Sequence, residues 1–464
     1  LVVDFLIIGA GIAGLSAAVA LRRVGHRVTV LERDPDFEPN PFNSRAIRLP
    51  PNMTKIFHHW DMTKQIKEIG VLSGRITIAR VENAFTLGRH EWARELLEEA
   101  RGEFMACNHH DLRQLLLRTA KKLGVKVRAG AHVESVVGDG QSVTLENGDV
   151  LRGDVVIGAT GRLGVTRALL AEDNDDSPKP TDLMFFDAII PGDRARAEPV
   201  IQEMYKAESA SSALDATQWV WFGNNHAALM FPLNKEGDCA FQFYAPDDGK
   251  SSESIEVVSK KLLLASVANC EPRLRKMASL VMENMVTRLK VVERTVFEDW
   301  VHSSGRFLGI GEAVHPFFPG VIQASCMSLE DASVLAKLFS HLSDQSQISN
   351  FLYAFEEIRQ ARCVKIQNVE NMNTKYMNLP DCDQTRGRDQ FMRSRYEAGK
   401  SALGGDPDDE DAVAALWAEN REVFGYDAED EADNWWVEWG MLRLRAQAAD
   451  LSGLTAIGVE TSQG

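Results

Sequence analysis

Residues 2–33 read VVDFLIIGAGIAGLSAAVALRRVGHRVTVLER, and this stretch decides the fold. The apolar, branched run 2–8 leads into a glycine, which is typical of a buried parallel strand before a tight turn. Small and apolar residues at helical spacing continue to Gly25, and a second apolar run, 27–31, ends at Glu32. The stretch therefore predicts a strand–helix–strand unit of an α/β domain.

Three glycines, Gly9, Gly11 and Gly14, form a G-x-G-x-x-G pattern between the first strand and the helix. The first permits the tight turn, the second lets a pyrophosphate approach the backbone, and the third brings helix and strand close together. The helix N-terminus favours phosphate charge. Glu32 lies 18 residues beyond the last glycine, where a carboxylate accepts hydrogen bonds from ribose hydroxyls. The pattern predicts a dinucleotide site, which either a nicotinamide cofactor or FAD would satisfy.

The composition is that of a globular protein: of 464 residues, 44% are hydrophobic and 25% are charged. A formal net charge of −16 argues against nucleic acid and anionic membrane surfaces as partners. The six cysteines are scattered without a C-x-x-C pair, so we expect neither a disulfide framework nor a metal site. No apolar run approaches the roughly 18 residues of a transmembrane helix, so we expect no stable membrane insertion.

The cysteines also indicate the cellular compartment, because unpaired thiols are typical of proteins in a reducing environment. We therefore expect a cytoplasmic protein. The sequence opens at Leu1 rather than at methionine, which leaves a preceding targeting segment open. Hydrolase and kinase signatures are absent from the sequence, which excludes those classes.

The predicted elements divide the chain into four segments. Residues 1–178 are expected to form the first part of the dinucleotide domain. Residues 179–300 consist of short alternating segments between Gly, Asn and Asp turns, which predicts a mostly antiparallel, substrate-binding sheet. Residues 301–379 contain a further strand, a glycine turn and a long helix, so the chain is expected to return to the first domain. Residues 380–464 form a polar C-terminal extension, expected to be helical.

A second glycine turn distinguishes the two cofactors. Residues 306–332 read RFLGIGEAVHPFFPGVIQASCMSLEDA, which resembles the GD-A-A-H-P segment of the FAD-dependent aromatic hydroxylases, the group of salicylate hydroxylase and 4-hydroxybenzoate hydroxylase. The resemblance covers most of residues 3–340, and its specific parts are 2–33, 154–161 and 308–332. It implies FAD as the cofactor and a discontinuous, glutathione-reductase-like Rossmann domain beside an antiparallel substrate sheet.

The resemblance also implies roles for residues of this turn. Glu312 stands at the position that binds the ribityl chain, Pro316 lies near the flavin ring, and the following helix directs its N-terminus at the ring. A helix dipole there stabilises negative charge on a reduced flavin. The full set of expected FAD-binding residues is Gly9, Gly11, Gly14, Glu32, Arg33, Arg45, Arg48, His109, Thr160, Gly161, Glu312, Pro316, Val321 and Ile322.

Several positions depart from the family pattern. Glu312 replaces the usual aspartate, and Ile322 and Ala324 occupy positions where glycines usually let the flavin pyrimidine approach. Thr160 replaces an aspartate, and His109 stands where an arginine commonly assists the cofactor. These departures put the family's handling of nicotinamide in doubt more than FAD binding itself.

Candidate substrate residues lie mainly in the predicted sheet. His226 and Tyr205 are candidate proton carriers, with a purely structural role as the alternative. Basic Arg45 and Arg48 are candidates for contact with the flavin or a nicotinamide phosphate. We expect an aromatic cavity, with core packing as the alternative for at least one aromatic pair. Its expected lining residues are Trp219, Trp221, Met230, Phe241, Phe243, Phe317 and Phe318.

The reaction implied by the resemblance is monooxygenation. NAD(P)H would reduce the flavin, O₂ would form a hydroperoxyflavin, and one oxygen would pass to a small aromatic substrate, a phenol or an aromatic acid. The sequence holds one G-x-G-x-x-G, so NAD(P)H would dock transiently rather than in a domain of its own. Two alternatives stay open: oxidation, epoxidation or cyclisation of a larger secondary metabolite, and a non-enzymatic carrier on the same fold.

Overall fold

The computed structural model describes residues 1–171, 174, 176–206, 217–403 and 410–442. The helices are α1 Ile12–Arg23, α2 Pro51–His59, α3 Thr63–Ile69, α4 Arg94–Ala100, α5 His109–Lys122, α6 Val165–Leu170, α7 Gly192–Ala197, α8 Pro199–Lys206, α9 Lys260–Ser266, α10 Pro272–Leu280, α11 Ala324–Ser340, α12 Ile348–Met377, α13 Asp383–Glu397, α14 Glu410–Phe424 and α15 Ala428–Trp435.

The strands are β1 Asp4–Ile8, β2 Arg27–Leu31, β3 Ala46–Leu49, β4 Gly70–Leu72, β5 Arg75–Arg80, β6 Thr86–Glu91, β7 Met105–Asn108, β8 Lys126–Arg128, β9 Val133–Val136, β10 Ser142–Leu145, β11 Val150–Arg152, β12 Val155–Gly158, β13 Lys179–Ile190, β14 Thr217–Gly223, β15 His226–Pro232, β16 Cys239–Pro246, β17 Glu256–Val258, β18 Val286–Glu293 and β19 Phe307–Gly309.

A parallel five-stranded sheet in the order β19-β12-β1-β2-β8 forms the core of the first domain. The inner strands are apolar because helices cover them, and α1 packs against both α5 and α11. β19 pairs with β12 in this sheet, although strands β13–β18, which belong to a separate eight-stranded sheet, lie between them in the sequence. The predicted α/β fold with a discontinuous first domain is confirmed.

The second large sheet has eight strands in the order β17-β18-β13-β16-β15-β14-β5-β6. Its pairings are antiparallel except that of β14 with β5, which is parallel. β5 and β6 belong to the predicted segment 1–178, so this sheet is assembled from two separate stretches of chain. One face packs against helices α9 and α10, and the opposite face turns towards the first domain.

Helix α11 is anchored by a buried ionic network. Glu330 and Asp331 on α11 are both fully buried and both bind Arg359 of α12, at 2.7 and 2.9 Å. Arg362 of α12 binds Glu330 at 3.1 Å, and Asn52 of α2 donates to the same carboxylate at 2.8 Å. Breaking such a pair leaves an uncompensated charge in the core, so the network fixes where α11 begins.

The C-terminal helices cover the first domain and the edge of the large sheet. Helix α13 packs on β6, and α15 packs on α11. Trp436 stacks on His341 with 4.6 Å between ring centroids. Among the helices in the described part of the chain, none combines the length and the apolar character needed to cross a bilayer.

Candidate active site

A single cavity of about 1050 Å³ lies between the parallel sheet and the large sheet. Gly11 and Glu32 line one end of it, and Glu312 lines its middle. Residues of the large sheet, including Asp187 and Gln242, line the other end. The two glycine turns, far apart in sequence, therefore open into the same space.

The first glycine turn is shaped by two close approaches, and its middle glycine is open. Gly9 has a φ of +101°, and a Cβ there would lie 2.6 Å from the carbonyl oxygen of Ala159. A Cβ on Gly14 would lie 2.0 Å from the carbonyl oxygen of Gly9, so Gly14 serves helix packing and does not line the cavity. A Cβ on Gly11 would meet nothing within 4 Å. The turn therefore leaves Gly11 and the first amides of α1 open to the cavity, as a pyrophosphate site requires.

Glu32 is held in place by its own hydrogen bonds. Its Oε2 accepts from the backbone N–H of Ala10 at 2.8 Å and pairs with Arg113 at 3.2 Å. Its Oε1 accepts from the backbone N–H of Asp34 at 3.0 Å. These contacts orient the carboxylate at the cavity wall, while Arg33 lies at the exposed rim.

The turn after β12 meets the second glycine turn through an ion pair. Arg162, which follows Thr160 and Gly161, donates to Glu312 at 2.7 Å. Burial alone would raise the pKa of Glu312, but the charge and hydrogen bond of Arg162, together with the charges of Arg45 and His315, hold that pKa below its ordinary value. A Cβ on Gly311 would lie 2.8 Å from the Cβ of Ala13 on α1. The carboxylate is therefore ionised and held against the first turn.

The loop between Glu312 and α11 forms the cavity wall next to the large sheet. Phe318, Pro319, Gly320, Val321 and Ile322 all line the cavity. Two side chains hold the loop: Arg48, which also lines the cavity, donates to the Gly320 carbonyl, and Tyr244 donates to the Pro319 carbonyl. Glu370 of α12 accepts from the backbone N–H of Gln323 at 3.1 Å.

Arg45, His109 and Asp187 lie where this loop, the first domain and the large sheet meet. Burial, with help from the charges of Arg45 and Arg113, lowers the pKa of His109 to about 3, so its ring is neutral. Burial raises the pKa of Asp187 to about 7, against the opposing effect of Arg45. All three residues line the cavity.

The residues present fit FAD. The cavity runs without interruption from a pyrophosphate turn to a wall of mixed polar and aromatic residues. Buried polar atoms at the cavity, including Nε of Arg45 and Nδ1 of His109, have no hydrogen-bond partner among the described residues. Such atoms are normally paired, so a polar ligand is expected there.

Comparison with known proteins agrees with this geometry. A family model described as an FAD binding domain matches residues 2–369. The chain belongs to this FAD-binding domain family. It is similar to the FAD-dependent monooxygenase OpS4 of Beauveria bassiana (strain ARSEF 2860), with 27% identity over 92% of this chain and 96% of that protein.

Solved structures show the same fold. The crystal structure of CtdE in complex with FAD and substrate 4 has a TM-score of 0.76 at 18% identity and covers 95% of this chain and 99% of that one. The salicylate hydroxylase substrate complex has a TM-score of 0.68 at 17% identity and covers 93% and 97%. The chain is an FAD-dependent monooxygenase, and the carrier alternative is not favoured.

Most of the residues predicted to line this flavoprotein's substrate cavity lie elsewhere. Strand alternation directs them to the other face of the large sheet, where they pack against α9 and α10. They are Trp219, Trp221, Met230, Phe241 and Phe243. The prediction is therefore corrected for these five residues: their side chains form a hydrophobic core.

Two residues of the second glycine turn also differ from the prediction. Pro316 and Phe317 are buried and do not line the cavity. The reason is that this part of the turn faces the protein interior, where the imidazole of His315 binds Asp331 at 2.7 Å. Pro319 and Phe318 occupy the cavity wall instead.

Of the two candidate proton carriers, His226 does not line the cavity. His226 begins β15, and its Nδ1 lies 2.7 Å from the Asn224 carbonyl within the hairpin turn, away from the cavity. Tyr205 belongs to α8, and its side chain lies outside the described part of the structure.

Sequence reasoning missed several residues that line the cavity, among them Arg113, Arg162, Asp187 and Gln242. Arg162 carried a local signal, because it directly follows the Gly158–Gly161 turn. Asp187 interrupts an otherwise apolar strand, LMFFDAII, which is a signal for a buried functional acid. Arg113 and Gln242 carried no such signal.

Proposed function

We propose that this FAD-dependent monooxygenase inserts one oxygen atom of O₂ into a phenolic or otherwise electron-rich aromatic ring, with NAD(P)H as the electron donor. The observation that carries the proposal is the single cavity that joins the dinucleotide turn to the wall of the large sheet. A cofactor whose adenosine end lies at Gly11 would extend past Glu312 and present its ring to that wall.

The residues of this chain would hold the cofactor at separate points. The open turn at Gly11 and the amides of α1 would receive the pyrophosphate, Glu32 the adenosine ribose, and Glu312 the ribityl hydroxyls. When bound, FAD supplies two-electron chemistry and the activation of O₂. The protein would position the flavin ring, because hydrogen bonds from Arg48 and Tyr244 fix the loop 318–322 that forms part of the cavity wall.

Exclusion of water is a second contribution of the protein. Phe185 and Phe231 of the large sheet and Phe318 of the loop are nearly fully buried and line the substrate end of the cavity. An apolar wall protects a reactive oxygen donor from water and protons. No side-chain nucleophile is needed for this reaction.

The proposal is tested with the FAD-loaded enzyme and NADPH or NADH. We expect a phenol to accelerate flavin reduction, and we expect ¹⁸O₂ to place one labelled oxygen atom in the product, detected by mass spectrometry. The assay is repeated with a set of phenols and aromatic acids. The proposal is contradicted if NAD(P)H oxidation yields only hydrogen peroxide with every one of them.

A second candidate is oxidation, epoxidation or cyclisation of a larger secondary metabolite. One observation favours it: the cavity lining extends beyond the sheet to the surface segment 253–255. A substrate larger than a single ring would reach this segment. Products of the same incubations distinguish the candidates. Ring hydroxylation leaves one ¹⁸O atom in a ring hydroxyl, epoxidation leaves one ¹⁸O atom in an epoxide, and oxidation or cyclisation without oxygen transfer leaves no ¹⁸O in the product.

A further inference from the structure

One row of the large sheet carries polar side chains into the substrate end of the cavity. Thr287, Asp187 and Gln242 are neighbours across β18, β13 and β16, since Asp187 pairs with Thr287 on one side and with Gln242 on the other. All three line the cavity. The adjacent row on the same face includes Phe185 and Leu289, so the polar row lies in an otherwise apolar wall.

The polar row has unused hydrogen-bonding capacity. Asp187 and Gln242 are only 6% and 2% exposed. Gln242 Nε2 donates to Asp187 Oδ2 at 3.2 Å, and the Thr287 hydroxyl donates to the backbone carbonyl of Asp187 rather than to its carboxylate. Asp187 Oδ1, Gln242 Oε1 and Arg45 Nε have no hydrogen-bond partner among the described residues. Leaving a buried polar atom unpaired is costly, so this set of atoms is expected to bind a ligand.

We propose that Asp187 is a catalytic base that accepts the hydrogen bond, and then the proton, of a phenolic or enolic hydroxyl on the substrate. This inference rests on the proposed function and narrows its substrate class to hydroxylated rings. Arg45 Nε–H, the one donor among the three unpaired atoms, stabilises the oxygen anion that forms.

The proton transfer changes no oxidation state. The substrate O–H bond breaks, an O–H bond forms on the Asp187 carboxyl group, and the electron pair stays on the substrate oxygen. The negative charge spreads into the ring and makes its carbon atoms better nucleophiles towards an electrophilic oxygen. The ring carbon that receives the oxygen then releases its hydrogen to water as a proton, which restores the aromatic ring and returns the negative charge to the substrate oxygen. The Asp187 proton then returns to that oxygen.

The charges around Asp187 are consistent with this role. Arg45 faces it from the segment before β3, and the backbone N–H of Ala46 at the start of β3 also favours its ionised form. Gln242 and Tyr244 belong to β16, and Thr287 belongs to β18. Burial raises the pKa of Tyr244, so this phenol stays neutral. With a pKa of about 7, Asp187 is a carboxylate above neutral pH and a hydrogen-bond donor below it. Turnover of a phenol should therefore rise with pH through about 7.

The test uses 4-nitrophenol as the probe, because its anion is yellow and its neutral form is not. Difference spectra of the FAD-loaded enzyme at about pH 6.5, where the free probe is mainly neutral and part of Asp187 is ionised, should show bound anion with the wild type. Asp187→Asn should bind the probe about tenfold more weakly and mainly in its neutral form. The matched control is Asp182→Asn, which removes a charge from the exposed start of the same strand and should behave as the wild type.

Asp187→Glu restores a carboxylate and should recover part of the anion signal. The inference is contradicted if Asp187→Asn binds the probe with wild-type affinity and in the wild-type protonation state. It is also contradicted if the wild type does not bind the probe. A wild type that binds the anion but transfers no oxygen to any phenol would contradict the proposed function and leave the role of Asp187 as a proton acceptor standing.

Discussion

The two faces of the large sheet use their side chains for different purposes. The face towards α9 and α10 carries Trp221, Phe241 and Phe243, which are completely buried among apolar neighbours. The face towards the first domain carries Asp187 and Gln242 beside scattered aromatic residues, and it lines the cavity. Aromatic residues therefore occur on both faces, and the polar row is what distinguishes the cavity face, the face that we propose is reactive. Four predictions test this division.

The largest effect is expected from Phe241→Ala on the helix-packed face. Phe241 is fully buried, so its removal should reduce the free energy of unfolding by about 3–5 kcal/mol. Urea unfolding followed by circular dichroism measures the change. The flavin spectrum of the folded fraction should stay that of the wild type. An altered flavin spectrum would show that packing on this face also changes the structure of the cavity.

Trp221→Phe should cost less, about 2 kcal/mol, because it removes the hydrogen bond of 2.9 Å from Nε1 to the buried carboxylate of Glu271. Trp219→Phe is the matched control, since Trp219 Nε1 has no hydrogen-bond partner among the described residues. Thermal unfolding of both variants checks the difference. Equal losses of stability would mean that ring volume, rather than the hydrogen bond, decides the stability of this face.

On the cavity face, Asp187 should make stability depend on pH. Its folded-state pKa of about 7 lies above the ordinary value of 3.8, so the unfolded state loses its proton first and folding is disfavoured as pH rises from about 4 to 7. The loss approaches at most about 1.4 kcal/mol per pH unit and should total roughly 1–2 kcal/mol between pH 5 and 7. Asp187→Asn should remove this dependence. If the free energy of unfolding changes with pH in the same way for the wild type and for Asp187→Asn, Asp187 has its ordinary pKa and the prediction is wrong.

Gln242→Leu should have the smallest effect on stability, less than about 1 kcal/mol, because a leucine removes an unpaired buried oxygen along with one hydrogen bond. We expect weaker binding of 4-nitrophenol with little change in the thermal midpoint. A loss of stability as large as that of Phe241→Ala would contradict the division between the two faces.

Local patterns predicted the first domain well. The two glycine turns could be recognised because Gly9 and Gly311 have a positive φ and Gly14 lies in close backbone contact, which favour glycine. Glu32 could be recognised by its spacing after the first turn. The strand before the second turn also predicted the return of the chain to the parallel sheet, which the structure confirms. These features are encoded within short segments, so tertiary contacts are not needed to detect them.

The substrate end of the cavity was predicted poorly, for a physical reason. Alternation along a strand shows that Trp219 and Trp221 share a face, but it does not show which face a helix covers. That choice depends on α9 and α10, which follow β16 in the sequence and pack on the side of Phe241 and Phe243. The sequence around Gln242 does not predict a site residue, because its place in the cavity depends on its pairing with Asp187 on another strand.

The sequence by itself determined that a dinucleotide turn and a second glycine turn exist, and its family resemblance named FAD as the cofactor, because backbone geometry at Gly9, Gly11 and Gly311 is a local property. Only the tertiary structure decided that both turns open into one cavity and that Asp187, Gln242 and Arg45 meet at its far end. Those three residues come from different parts of the chain, and their chemistry arises from shared burial, which no short segment specifies.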